Sequence, residues 1–310
     1  MAIRPPILRE GDTIGIVTLG SPQSASVIDA NIQFLQDMGF EVVLGNFVYA
    51  NTGIVAGSDE QRASDLMDMF RDPRVRLILP TRGGTGVAGI LPYLDYGVIH
   101  DNPKIVSGYS DITVLLNVLY QKANLVTLQS LLLLDFNPST PEYNFDQFFT
   151  ATSSEAAPRL IENPPGMPMV GRVPGTVTGP IVGGNLTSLV DTLGTPYEID
   201  TRGRILMIEE THEPSNRVYR MLNHLKLAGK FDDCIGIIVG GCTNCTVSYN
   251  TPFEALIEEI IVPLGKPLLT HVATAHGRYK AAIPIGAEVT LDATAGTLTL
   301  LEPVVSGSDS

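Results

Sequence analysis

Lys104-Ile105-Val106-Ser107-Gly108-Tyr109-Ser110-Asp111-Ile112-Thr113-Val114-Leu115-Leu116-Asn117-Val118-Leu119-Tyr120 passes from a short apolar run, through a tight turn, into an apolar helix. Lys104 to Val106 reads as a strand and Asp111 to Tyr120 as a helix. The same alternation runs upstream. Thr13 to Thr18 is a β-branched strand, and Ala25 to Met38 is a helix with Ile28, Ile32, Leu35 and Met38 on roughly one face. Glu41 to Leu44 is the next strand. Ser58 to Phe70 reads as a helix, with Ser58 as N-cap and Gln61 three residues on, the spacing of a capping box. Arg76 to Leu79 is a strand that runs into the turn Arg82-Gly83-Gly84-Thr85-Gly86. Strand and helix alternating at this pitch predict a three-layer α/β domain with a mainly parallel sheet over residues 1–155.

The composition then changes. Pro158, Pro164, Pro165, Pro168 and Pro174 mark residues 156–175 as an extended linker or crossover. Beyond it β signals dominate, at Thr176 to Val182, Arg204 to Ile208, Ile235 to Val239, Glu288 to Leu291 and Thr297 to Leu301. Two helices fit among them, near Val218 to Leu227 and Phe253 to Ile261. Residues 176–310 therefore read as a second, mixed domain rich in β structure.

Of the 310 residues, 44% are hydrophobic and 17% charged, which is enough apolar content for a large core and excludes disorder over most of the length. Asp plus Glu outnumber Lys plus Arg by 33 to 20, and a net charge of −13 repels phosphate backbones, so no nucleic-acid partner is expected. There is no run of 18 apolar residues and no apolar core near Met1 to Asp12, so neither a membrane span nor a secretory signal is expected. Cys234, Cys242 and Cys245 are too few for a disulfide framework and fit a reducing, cytoplasmic setting. Cys242-Thr243-Asn244-Cys245 has zinc or redox spacing, but no second such pair accompanies it.

Ser110 stands at the strand-to-helix turn, where a nucleophile elbow lifts a hydroxyl out of the sheet beside free helix N–H groups. An N-cap serine is the simpler local reading, because the second glycine of the hydrolase motif is missing. The Gly83-Gly84-Thr85-Gly86 turn offers bare amides to an anion, or is an ordinary βα turn; it matches neither a Walker loop nor a dinucleotide fingerprint. A serine nucleophile needs a base and an orienting acid. Among His100, His212, His224, His271 and His276, only His276 lies in a loop between apolar runs. Glu209 and Glu210 follow an apolar strand; because successive strand residues face opposite ways, the two carboxylates should not share a role.

From Leu8 to Leu301 the ordered motifs resemble the LD-carboxypeptidase family, the muramoyl-tetrapeptide carboxypeptidases that also include microcin C self-immunity peptidases. The resemblance rests on Gly11-Asp12-Thr13-Ile14-Gly15, Gly57-Ser58-Asp59-Glu60-Gln61-Arg62, Arg82-Gly83-Gly84-Thr85-Gly86 and Gly108-Tyr109-Ser110-Asp111-Ile112-Thr113. It continues through Val182-Gly183-Gly184-Asn185-Leu186, Gly194-Thr195-Pro196-Tyr197-Glu198, Ile208-Glu209-Glu210 with Arg220-Met221-Leu222, and Ala275-His276 with Ile283-Pro284-Ile285-Gly286. It implies a Ser110–His276–Glu209 triad, an oxyanion hole from the Gly84 and Asp111 amides, no cofactor or metal, a peptide or muropeptide substrate and a homodimer. The implied activity is release of the terminal D-alanine of muropeptide tetrapeptides in peptidoglycan recycling. An amidase of aminoacyl-nucleotide toxins and an inactive binding protein of the same fold are the alternatives. Thr85 for tyrosine, Gly89 for arginine, Gln129 in the segment that often reads T-F-H-G-P, and Lys280 near a common asparagine depart from the family pattern; they cluster at the pocket and leave the triad intact.

Overall fold

The computed structural model describes residues 2–307. Its first half runs β1 Thr13–Val17, α1 Ala25–Asp37, β2 Glu41–Leu44, α2 Asp59–Arg71, β3 Val75–Pro80, α3 Tyr96–Asp101, β4 Ile105–Gly108, α4 Thr113–Ala123, β5 Thr127–Gln129 and α5 Glu142–Thr152. The second half runs β6 Arg159–Ile161, β7 Val170–Val173, β8 Thr176–Asn185, α6 Leu186–Asp191, β9 Ile205–Thr211, α7 Ser215–Leu227, β10 Gly236–Thr243, α8 Phe253–Leu256, β11 Leu268–Thr270, β12 Ile283–Ile285, β13 Glu288–Asp292 and β14 Thr297–Leu300.

The strands join in the order β2-β1-β3-β4-β5-β12-β8-β9-β10-β11-β7, with β13, β14 and β6 branching from β8. From β2 to β5 every pairing is parallel. β12 then pairs antiparallel with β5 and parallel with β8. β8, β9, β10 and β11 are again parallel neighbours. The fold is thus the expected α/β architecture with a mostly parallel, mixed sheet and flanking helices. Its halves meet through β12, which the sequence does not announce as a strand because a three-residue segment centred on Pro284 carries almost no periodic signal.

Local chemistry accounts for the elements. Ser58 caps α2 as read, with its hydroxyl accepting the Gln61 N–H and the Gln61 side chain accepting the Ser58 N–H. α1 buries Ile28 and Leu35, and between them Asn31, whose amide donates to Leu133 O at 2.9 Å. Phe34 of α1 stacks on Phe145 of α5 at 5.8 Å, so these helices share one layer. α3 contacts both α2 and α4. The proline-rich stretch contributes two short strands that cover sheet edges: β7 pairs with β11 and β6 with β14. Helix α8 passes into a π-helical turn at Ile257–Ile261.

One apolar core runs from β1 through β5 to β12 and β13, and a second packs Val218, Leu222 and Phe231 against β8 to β10. Cys242 and Cys245, whose spacing the sequence offered only to zinc or redox chemistry, are joined by a disulfide; the turn after β10 brings their Cα atoms to 5.5 Å, so the bond is a single local clip and not a framework. No helix among the described residues is long and apolar enough to cross a membrane.

Candidate active site

The C-terminal ends of parallel strands are where open α/β sheets gather ligands, and three of the predicted residues lie there. Ser110 follows β4 directly. Its φ is 63°, a left-handed conformation that costs a serine about 1–2 kcal/mol. The turn is held on every side. Ser107 Oγ donates to Leu131 O at 2.7 Å, and Ser130 N–H donates to Gly108 O at 3.2 Å. Gly108 has no room for a side chain, since a Cβ there would stand 2.8 Å from Ile112 Cγ2. Strain at a residue so tightly surrounded makes Ser110 a candidate for a functional role.

Gly83 closes over Ser110. A Cβ on Gly83 would come within 2.7 Å of Ser110 Cβ, 2.9 Å of its Oγ and 3.0 Å of the Asp111 nitrogen. The glycine turn is pinned from its far side. Gly83 O accepts the Ser21 N–H, Ser21 Oγ accepts the Thr85 N–H, and the buried Arg62 donates to Gly86 O at 2.8 Å. Because Gly83 O points at Ser21, the planar 83–84 peptide turns the Gly84 N–H away from Ser21. No described residue accepts a hydrogen bond from the Gly84 or Asp111 amide. Gly83→Ala should therefore lower kcat by at least about 100-fold, the scale for losing one oxyanion donor, without loss of the folded state; steady-state kinetics with a melting curve check it.

The other two residues come from the second half. Glu209 lies near the end of β9, and His276 in the loop between β11 and β12. His276 Nδ1 and Glu209 Oε2 are 2.8 Å apart, across 67 positions of sequence. The Glu209 side chain is 1% exposed, and its other oxygen, Oε1, has no partner among the described residues. The neighbouring strand makes room for it: Gly240 stands where a Cβ would meet Glu209 Cβ at 2.9 Å, beside an irregularity in the β9–β10 register. Glu210 faces the other way, as strand alternation requires. It accepts the Thr187 N–H at 2.8 Å, the Thr187 hydroxyl at 2.7 Å, the Asn185 side-chain amide at 3.0 Å and the Thr211 N–H at 2.8 Å. Four donors leave Glu210 no capacity for a histidine.

The His276 loop is tightly laced. Ala281 N–H donates to Ala273 O at 2.7 Å, Lys280 Nζ to Gly277 O at 2.9 Å, and the Asn144 side chain to Arg278 O at 3.1 Å. Gln129 reaches Thr274 Oγ1 at 3.2 Å from β5. Tyr109, the residue before Ser110, meets the His276 ring edge-on at 5.2 Å, which sets the imidazole beside the serine turn. Ser110 Oγ and His276 are not themselves hydrogen-bonded, a looseness common in sites without substrate.

A buried trio backs this arrangement. Tyr109 Oη lies 3.3 Å from Asp135, Lys280 Nζ lies 3.6 Å from the same carboxylate, and Lys280 Nζ sits 5.4 Å from the Tyr109 ring centroid. Burial pushes the Asp135 carboxyl upward, against the pull of Lys280, and burial likewise pushes the Tyr109 phenol far above its ordinary value. The sequence reading noted Lys280 and missed Tyr109 and Asp135; the one available signal was an acid closing the apolar run Leu131 to Leu134. The remaining histidines lie elsewhere. His100 bonds Ala123 O, His212 bonds Thr211 and Asn244, His224 is on α7, and exposed His271 faces Glu254 at 3.9 Å. No group of three metal-ligating side chains occurs among the described residues.

Residues 14–130 match the LD-carboxypeptidase N-terminal domain, and residues 178–291 match the LD-carboxypeptidase C-terminal domain. A Bacillus subtilis (strain 168) protein named "Probable murein peptide carboxypeptidase" is 36% identical, over 98% of this chain and 95% of its own length. The chain belongs to the LD-carboxypeptidase family. It is a serine peptidase-like hydrolase by that membership. The microcin C7 self-immunity protein MccF of Escherichia coli, another relative, is 27% identical over 96% of each chain. The crystal structure of muramoyltetrapeptide carboxypeptidase from Oxalobacter formigenes superposes with a TM-score of 0.80 at 26% identity, covering 94% of this chain and all of that one.

Proposed function

We propose that the protein is a serine LD-carboxypeptidase that releases the terminal D-alanine of murein tetrapeptides through Ser110, His276 and Glu209. The observation that carries this reading is the 2.8 Å bond between buried Glu209 and His276, beside a serine turn held in a left-handed conformation. With Nδ1–H donated to Glu209, His276 keeps the lone pair of Nε2 free to act as a base. Ser110 Oγ attacks the carbonyl carbon of the scissile amide as its proton passes to Nε2. The oxyanion that forms is stabilised by the Gly84 and Asp111 amides. The imidazolium, stabilised by Glu209, then protonates the leaving nitrogen of D-alanine, and the C–N bond breaks to leave a Ser110 ester. Water, deprotonated by His276, attacks that ester and restores the serine. The same reading makes the enzyme a cytoplasmic homodimer acting in peptidoglycan recycling, which size-exclusion chromatography and cell fractionation test.

The deciding experiment follows D-alanine released from a murein tetrapeptide by wild type and by Ser110→Ala. Release that vanishes in the variant supports the proposal. No release, from a protein whose Ser110 still reacts with a fluorophosphonate, moves the substrate to aminoacyl-nucleotide amides, as for the MccF relative. Neither release nor labelling supports an inactive binding protein.

A further inference from the structure

Two acids stand immediately after catalytic candidates, Asp111 after Ser110 and Glu210 after Glu209, and a single run of polar contacts connects them. Asp111 Oδ2 accepts the Val87 N–H at 2.8 Å, at the end of the glycine turn. Asp111 Oδ1 faces Ser188 Oγ at 3.1 Å, on α6 in the second half of the chain. Ser188 Oγ is also 3.1 Å from Asn185 Oδ1, and the Asn185 side-chain amide donates to Glu210. The run therefore starts at the glycine turn, crosses the serine turn and the junction between the halves, and ends on the strand that carries Glu209.

We propose that Asp111 acts through its carboxylate as a positioning residue, holding the glycine turn against the serine turn and both against the end of β9. The proposal rests on the serine-hydrolase reading. The amide of Asp111 belongs to the oxyanion hole by that reading; the side chain does separate work. Three features favour it. The carboxylate spends both oxygens on links to other segments and none on α4, the helix it precedes. Its Val87 contact acts on the same turn that Arg62 pins at Gly86 O. Its Ser188 contact is one of few polar ties between the serine turn and the second half; Thr113 Oγ1 with the Asn185 N–H, at 3.0 Å, is another.

The donor count predicts which substitution is tolerated. Ser188 has one hydroxyl hydrogen and faces two acceptor oxygens. Asn185 cannot turn its amide round, because Nδ2 is committed to Glu210 and Oδ1 accepts the Ser188 N–H at 3.1 Å. An asparagine at position 111 would accept from Val87 through Oδ1 and donate to Ser188 through Nδ2, which satisfies every group. An alanine would sever both links.

The test is the rate at which a fluorophosphonate labels Ser110, a measure of the serine and its oxyanion hole that needs no peptide, together with kcat, KM and a melting curve. Asp111→Ala should slow labelling and lower kcat by about 100-fold, the scale of a misplacement near 1 Å, while KM stays within about three-fold. Asp111→Asn should recover at least about ten-fold of that loss. Ser188→Ala cuts one link only and should slow labelling by about ten-fold, which keeps the test alive if Asp111→Ala does not fold. Labelling of a folded Asp111→Ala at close to the wild-type rate, an asparagine variant as slow as the alanine one, or an unchanged Ser188→Ala would overturn the proposal. A wild type that neither reacts with the reagent nor releases D-alanine would sink the hydrolase reading and this proposal with it, and one that releases D-alanine without reacting leaves the kcat comparison decisive. A wild type that is labelled but releases no D-alanine leaves the labelling comparison decisive.

Discussion

Ser110→Ala is expected to lower kcat for D-alanine release by about 10⁴- to 10⁶-fold, with no change in the folded state. The hydroxyl supplies the only protein atom that bonds to the substrate carbonyl in the proposed mechanism, and no neighbouring side chain replaces it. Tyr109 is tied to Asp135 with its phenol held protonated by burial, and Ser107 is spent on Leu131 O. The backbone φ of 63° costs alanine about as much as serine, so the variant folds with no new strain beyond that already present. His276→Ala should fall by a similar amount, and the double variant should be no worse than either alone, because the residues act as one unit. A coupled D-amino-acid assay on the three proteins measures this. Multiplying losses, or a single variant that keeps more than about 1% of kcat, would remove Ser110 and His276 from one shared mechanism.

Glu209→Gln separates two adjacent carboxylates that differ in nothing but the side of the strand they face. The glutamine keeps the shape but can present an N–H to His276 Nδ1, which favours the wrong tautomer and takes the lone pair away from Nε2. A loss of about 10⁴-fold in kcat is expected. Stability should hold or rise, since the substitution removes a buried charge whose Oε1 has no partner among the described residues. Glu210→Ala should behave oppositely. It strands the Thr187, Thr211 and Asn185 donors, at about 1–3 kcal/mol for each group left unpaired, so its dominant effect is a lower melting temperature. Kinetics and thermal melts of both variants decide the matter. A Glu209→Gln enzyme at wild-type kcat would reassign the acid.

Much of the first half was legible because its signals are local. The capping box at Ser58 and Gln61 needs only three residues of separation, and β1, β2 and β4 are short apolar runs between turns. β5 and β12 were not legible. Each has three residues, one contains a proline, and their pairing joins positions about 155 apart, so no window of sequence contains the reason they are strands. The same distance hides the trio of Tyr109, Asp135 and Lys280, whose members look unremarkable singly and acquire meaning only in contact. The Cys242–Cys245 bond went unread for a different reason: counting cysteines addresses frameworks, whereas this pair is closed by the turn between its members.

The amino-acid sequence by itself determined the α/β alternation, because that rests on periodicity and turn chemistry, and its ordered motifs singled out Ser110, Glu209 and His276 as candidates through the family they resemble. Strand alternation went further and required that Glu209 and Glu210 face opposite ways. Only the tertiary structure decided which of the two meets the histidine, since that depends on β12 bringing the His276 loop to one face of β9 while α6 covers the other. It also decided that Gly83 is the glycine in close contact with Ser110, because the space around a backbone is set by chains that pack from elsewhere.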